Sequence, residues 1–240
     1  MEKPVFYMEH VDLLLLHAKQ VATCAGLGPR RGTEMKSVGL IKEGAVAVRG
    51  GCITAVGPTA KIVEKYQADQ TIDCTGKAVC PGFVDPHTHV VFGGDRAGEF
   101  ELRIKGASYL EIMAAGGGIV STVRHTRESS VEDLVTSAAR RLDGMLALGT
   151  TTVEIKTGYG LDTANELKML RVIEQLALEH PCTIVPTFLG AHTVPVEYKQ
   201  DTERYIRLVI DDMLPEVMKW YEGSLFSSRG LPLFIDVFCE

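Results

Sequence analysis

The spacing of hydrophobic positions changes character near residue 80. Upstream, short apolar runs are split by turn residues: VDLLLLHAKQV, then GAVAVRGGCITAVGP, then TIDCTGKAV. The runs are strand-length, rich in Val, Ile and Leu, and punctuated by Gly50-Gly51, Gly57-Pro58 and Gly76. They predict a small β-domain over residues 1–80. The polar, glycine-rich stretch GLGPRRGTEMKSVG between the first two runs reads as a surface loop.

Over residues 81–240, strands alternate with amphipathic helices, which predicts a parallel sheet with crossover helices. Strands fall at 82–86, 150–155, 183–189 and 233–238, and helices at 131–147, 162–180 and 202–221, each with an acidic or Ser/Thr start. About four βα units are visible. A closed (β/α)8 barrel needs eight strands and about 250 residues, so the pattern fits either an open sheet or the front part of a longer barrel protein.

Composition narrows the function classes. With 45% hydrophobic and 23% charged residues the chain can bury a core, which excludes a disordered tail. The 25 basic and 31 acidic residues leave a net charge of −6, so no basic field draws in nucleic acid or an anionic membrane. Six cysteines without a CxxC pair argue against a zinc ribbon or a disulfide framework and read as buried, reduced thiols. The first twenty residues place acidic side chains before a four-leucine run too short for a signal core or a span, and the expected location is cytoplasmic.

The chemistry centres on PGFVDPHTHVVFGG, residues 81–94. In a strand, residues i and i+2 share a face, so His87 and His89 point one way and Thr88 the other. Two imidazoles at that spacing suit zinc or iron, and a strand's C-terminal end is where a βα barrel carries its working residues. Taken alone, an HxH pair also fits one packed and one solvent-facing histidine.

The stretches PGFVDPHTHVVFGGDRAGEFELRIKGASYLEIMAAGGGIVSTVRHTR, TTVEIKTGYGLDTANELKMLRVI, PTFLGAHTVP and IDVFCE, in this order, resemble the imidazolonepropionase family of the amidohydrolase superfamily. The resemblance implies an α/β fold: an incomplete (β/α)8 TIM-type barrel preceded by a small β-sandwich domain built in the family from both chain ends. It implies one divalent metal, zinc or iron, with His87 and His89 as the first two ligands. It implies hydrolysis of the ring C–N bond of 4-imidazolone-5-propanoate to N-formimidoyl-glutamate, a step of histidine degradation, and a homodimer in the full-length form.

By the same resemblance, Arg96 binds the propionate, Tyr159 and His192 contact the substrate, and Tyr109 lines the pocket. A planar guanidinium can clasp a carboxylate through two parallel hydrogen bonds. On residue type alone Arg96 would be a surface arginine paired with Asp95 or Glu99, and Tyr109 a packing residue beside Leu110 and Ile112. His192 is expected to donate a hydrogen bond to the substrate from a neutral ring. The family's remaining metal ligands and its base correspond to positions beyond Glu240, so the 240 residues are expected to be inactive alone.

Gly116-Gly117-Gly118 lacks phosphate-loop spacing and reads as a flexible active-site loop. His10, His17, His125 and His180 read as structural, and Lys156 as an ion pair that braces the site. Two other readings remain: a related cyclic-amide hydrolase of the hydantoinase or dihydroorotase kind, which a modified Lys156 and two metals would favour, and a non-catalytic half-barrel that pairs with a partner or itself.

Overall fold

The structure is a computed structural model that describes residues 8–26, 28–108, 111–112 and 116–239. It divides into two compact units, residues 1–81 and 82–240.

The first unit is a mixed sheet in the order β3-β2-β1-β4, with β5 also paired to β1. Its spine is β1 (Glu9–Ala22), antiparallel to β2 (Leu40–Arg49), which is antiparallel to β3 (Cys52–Pro58). Gly50 and Gly51, at φ 58° and 74°, make the two-residue turn between β2 and β3. Positive φ at both positions is what a type I′ hairpin requires, and glycine adopts it without strain. β4 (Tyr66–Asp73) and β5 (Ala78–Val79) run parallel to successive parts of β1. A register shift between Leu15 and Ala18, with His17 at φ 61°, bends β1 between the two pairings. The His17 N–H donates to Thr59 Oγ1 (3.2 Å), at the start of helix α1 (Thr59–Val63). Among the described residues this unit holds one sheet, with Val11, Leu14, Ala45, Ala47 and Ile62 in one cluster and Ala18, Val21, Val46 and Cys74 in another.

The second unit is a fully parallel four-stranded sheet in sequence order: β6 (Phe83–Thr88), β7 (Thr150–Lys156), β8 (Thr183–Ala191) and β9 (Phe234–Val237). Between the strands lie α2 (Ala97–Ile104), α3 (Ile119–Glu128), α4 (Val131–Ala147), α5 (Thr163–Glu179), α6 (Thr202–Arg207), α7 (Leu214–Glu222) and α8 (Leu225–Ser228). The starts of α4 and α5 follow from their caps: Ser130 accepts from the Asp133 N–H and Asp162 from the Asn165 N–H. The apolar positions of both helices meet one sheet face. Leu134, Ala138 and Leu142 of α4 and Met169, Leu170, Ile173 and Leu176 of α5 pack with Val153, Ile155, Ile184 and Phe188. Burying each large side chain stabilises by about 1.5–3 kcal/mol, which makes this the main cohesive element of the unit.

Two features differ from the sequence expectation. Helix α3 lies where the sequence pattern predicts no element: Val120, Thr122, Val123 and Thr126 are β-branched and poor helix formers, but burial of Thr122, Val123 and Thr126 fixes the helix through packing. The helix expected over 202–221 contains a π-helical segment, Leu208–Met213, between α6 and α7. Pro215 lies in the first turn of α7 and has no N–H for the preceding turn, a common origin of such a bulge. The sheet face away from the helices carries Val84, Pro86, Glu154, Lys156, Thr187 and Asp236 around an open concavity of about 470 Å³. No helix among the described residues is long and apolar enough to cross a membrane.

Candidate metal and substrate site

The C-terminal ends of β6, β7 and β8 bring four of the expected residues together. His87 lies one residue before the end of β6 at Thr88 and is exposed; His89, just beyond the strand, is half-buried, and their ring centroids are 6.1 Å apart. Thr88 between them turns away, its hydroxyl donating to the Glu154 carbonyl of β7 (2.6 Å). His192, which follows β8, stacks on His89 at 4.6 Å with planes 9° apart. Tyr159, from the loop after β7, lies 5.0 Å from His89 and 5.2 Å from His192.

The loop after β6 positions Arg96. The Arg141 guanidinium donates to the Val90 carbonyl (2.8 Å) and sits 3.6 Å over the Phe92 ring. At Gly94 a Cβ would lie 2.5 Å from the His125 ring, so glycine lets the loop turn tightly against α3. Arg96 then reaches α3, where Nε and Nη2 both donate to Thr122 Oγ1 (3.1 and 2.9 Å). It is bonded to neither Asp95 nor Glu99: Asp95 accepts from the Ala97 N–H and Glu99 from the Gly118 N–H. That last bond makes Gly118 the pinned entry to α3. Arg96, Thr122, Tyr159, His89, Phe92 and Gly94 line a cleft of about 340 Å³. Tyr109 lies outside the described residues.

Electrostatics favour neutral rings at the centre. Burial, then the neighbouring charges of His192, His87 and Lys156, lowers the His89 pKa to about 4. Burial also lowers His192, whose Nδ1 is 2.9 Å from the Gly158 carbonyl. A carbonyl only accepts, so the ring donates there from Nδ1, and the neutral form keeps its lone pair on Nε2. Neutral His192 therefore accepts at its second nitrogen, the reverse of the donor role expected from sequence. Burial raises the Tyr159 pKa, against the nearby Arg96 charge, and keeps the phenol protonated.

Lys156, its side chain 6% exposed, bonds Glu154 Oε1 and Asp236 Oδ2, each at 2.8 Å. Burial opposes its charge, but the two carboxylates outweigh it and raise the pKa. Carboxylating this amine would set a third anion beside two others, which disfavours the modified-lysine reading.

The described residues fit part of a metal site. His89 Nδ1 is buried with no hydrogen-bond partner, the state of a ring nitrogen that a cation could satisfy, and a ligand imidazole must be neutral. With metal–nitrogen bonds of about 2.0–2.1 Å, the His87 and His89 rings could both reach one ion. Among the described residues no group of three or more His, Cys, Asp and Glu side chains is placed to hold one.

Sequence reasoning missed Glu166, which is fully buried on α5 and accepts from the N–H groups of Gly158, Gly160 and Leu161. A signal was present: Glu166 shares the helix face of Met169, Leu170 and Ile173, an acid on an apolar stripe.

Residues 44–66 match a family model described as an imidazolonepropionase-like composite domain of bacteria. The imidazolonepropionase of Chloroflexus aggregans is 52% identical over 234 residues, 97% of this chain and 55% of its own length. That of Herpetosiphon aurantiacus is 51% identical over 233 residues, covering 97% and 54%. The likeness is to the N-terminal part of imidazolonepropionase. The chain spans about half the length of the curated imidazolonepropionases it matches.

Among solved structures, Escherichia coli guanine deaminase aligns with a TM-score of 0.57 at 16% identity, over 92% of this chain and 45% of its own. An adenosine deaminase from Xanthomonas campestris, determined with bound zinc, aligns at 0.53 and 17%, over 95% and 50%. At those identities the likeness shows a shared fold alone.

Proposed function

We propose that this chain is the substrate- and metal-binding front portion of an imidazolone hydrolase acting on 4-imidazolone-5-propanoate in the cytoplasm. The four βα units are then half of a (β/α)8 barrel, and the sheet of the first unit is one layer of a β-sandwich; the full-length form is a homodimer. The observation that carries the reading is the convergence of His87, His89, Tyr159, His192 and Arg96 at the strand ends, in a chain about half identical to imidazolonepropionases over 97% of its length.

His87 and His89 would hold one divalent ion, zinc or iron, with ligands from the downstream portion. When bound, such an ion supplies Lewis acidity and a water acidic enough to ionise near neutral pH. The chain's own residues do the rest of the recognition. Arg96, already oriented by Thr122, would pair its guanidinium with the propionate. Tyr159 would donate its phenolic proton, and His192 Nε2 would accept a ring N–H, fixing which edge of the heterocycle faces His87 and His89. Tyr109 is retained as a further lining residue.

The test is turnover of 4-imidazolone-5-propanoate, followed by ultraviolet absorbance, with zinc- or iron-loaded chain alone and joined to the downstream half of a relative. Activity only in the joined form is expected. A joined, folded, metal-loaded protein without turnover would overturn the proposal.

The half-barrel interaction reading is favoured by one observation. Phe83 and Val84 of β6 and Phe234, Ile235 and Val237 of β9 are more than half exposed at the two ends of the sheet. Apolar strand edges of that kind pair with other chains when left open.

A further inference from the structure

We infer that Glu166 is the positioning residue of this site, setting both the Tyr159 ring and the His192 tautomer through the Gly158–Leu161 loop. Its Oε1 accepts from the Gly160 and Leu161 N–H groups (both 2.8 Å), and the Gly158 N–H is shared between Oε2 (3.1 Å) and Oε1 (3.2 Å). The loop it holds would not otherwise keep its shape: Gly158 stands at φ 104° and Leu161, which is not glycine, at φ 55°. From the other side, Arg127 Nε donates to the Gly160 carbonyl (2.7 Å).

Two consequences reach the site. Tyr159 sits between two pinned glycines, which fixes the backbone from which its ring meets His89 and His192. The Gly158 residue passes the constraint on: its N–H is held by Glu166, and its carbonyl receives the His192 Nδ1 proton at 2.9 Å. Free neutral imidazole side chains are not confined to the Nδ1–H form; this contact selects it. Glu166 neither lines the cleft nor bonds His87 or His89; besides the loop it bonds the Thr157 side chain, whose hydroxyl accepts from the Leu189 N–H of β8 (2.9 Å), so it reaches the site through the backbone on either side of it. The tautomer argument needs no substrate, whereas its use in recognition rests on the function proposed above.

The experiment is long-range ¹H–¹⁵N correlation of the chain labelled in histidine, which distinguishes Nδ1–H from Nε2–H on His192. The unsubstituted chain should show Nδ1–H alone. Glu166→Gln keeps an oxygen for Gly160, Leu161 and one of the two Gly158 contacts but turns an amide toward the Gly158 donor at the other, and should give a mixture. Glu166→Asp withdraws the carboxylate by one methylene and should give mainly Nε2–H. Leu170→Ala, on the same helix but away from the loop, should leave the tautomer unchanged. A folded Glu166→Asp chain still wholly Nδ1–H overturns the inference, as does an equal change in Leu170→Ala. If the aspartate variant does not fold, Glu166→Gln with no Nε2–H fraction overturns it. Calorimetric binding of imidazole-4-propanoate separates the two claims: no binding to the unsubstituted chain counts against the proposed function and leaves the tautomer result standing.

Discussion

On the β7–β8 side of the cleft, Tyr159 and His192 hang from backbone that a buried carboxylate and an arginine hold from opposite sides. On the β6 side His87 is exposed, and His89 ends in a buried nitrogen without a partner. The difference is physical in origin. β7 and β8 are central strands with strand neighbours on both sides and helices on one face, whereas among the described residues β6 has one neighbour, and Pro86 lies near its end. The β7–β8 half of the site is preorganised by the chain itself. The β6 half leaves His89 Nδ1 without a partner, and under the proposed function a bound cation is what would order it.

The largest effect expected from breaking the fixed side is a loss of stability. Phe188, 1% exposed on β8, joins the sheet to α5 and to the π-helical segment. Phe188→Ala should cost about 3–5 kcal/mol by the cavity it leaves, measured by denaturant unfolding. A change below about 1 kcal/mol would mean that β8 is not the rigid reference of the site.

On the loose side, pH is the probe. The folded His89 pKa of about 4 lies below the usual 6.5, so the folded ring resists protonation that the unfolded chain accepts. Stability is therefore full above pH 6.5 and falls as pH drops from 6.5 to about 4, by roughly 2–4 kcal/mol. His89→Gln should flatten that slope; a slope that survives it belongs to other groups. Of similar size, in the chain joined to the downstream half of a relative, zinc binding should weaken by about 10²-fold in either His87→Ala or His89→Ala. A four-ligand zinc site is worth about 10–16 kcal/mol, so one ligand is worth roughly 3 kcal/mol. Competition with a chromophoric chelator measures it, and unchanged affinity in both variants would remove the metal from this side of the cleft.

The same contrast runs through what the sequence made legible. Strands β7, β8 and β9 and helices α4 and α5 could be read because local signals agree there: alternation of element type, Ser130 and Asp162 caps, and apolar stripes ending in β-branched strands. His87 and His89 were legible through period-two spacing, and Arg96, Tyr159 and His192 only through the motifs around them. Helix α3 was not legible, since its residues favour extended backbone and only packing makes them helical. Thr122 could not be named as the partner of Arg96, because nothing local links residues 26 positions apart. Glu166 is easily passed over for the opposite reason: an acid near a helix start looks like dipole compensation, its place on an apolar stripe hints at burial, and only its hydrogen bonds show that it serves the loop.

The smallest expected effect joins the two sides at Arg96. Arg96→Lys replaces a forked donor by a point charge and should weaken imidazole-4-propanoate binding about tenfold, or about 1.4 kcal/mol, if one charge-assisted hydrogen bond is lost. If Thr122 serves the ligand by orienting the guanidinium, Thr122→Val should cost less, a few-fold in affinity. The pair is also coupled: lysine cannot bridge to Thr122 and to a carboxylate as arginine does, so in an Arg96→Lys background Thr122→Val should change nothing further. Calorimetry on the four proteins of that double-mutant cycle measures the coupling directly. Additive losses would show that Thr122 touches the ligand in its own right, and no loss in either single variant would return Arg96 to the structural role of tying the β6 loop to α3.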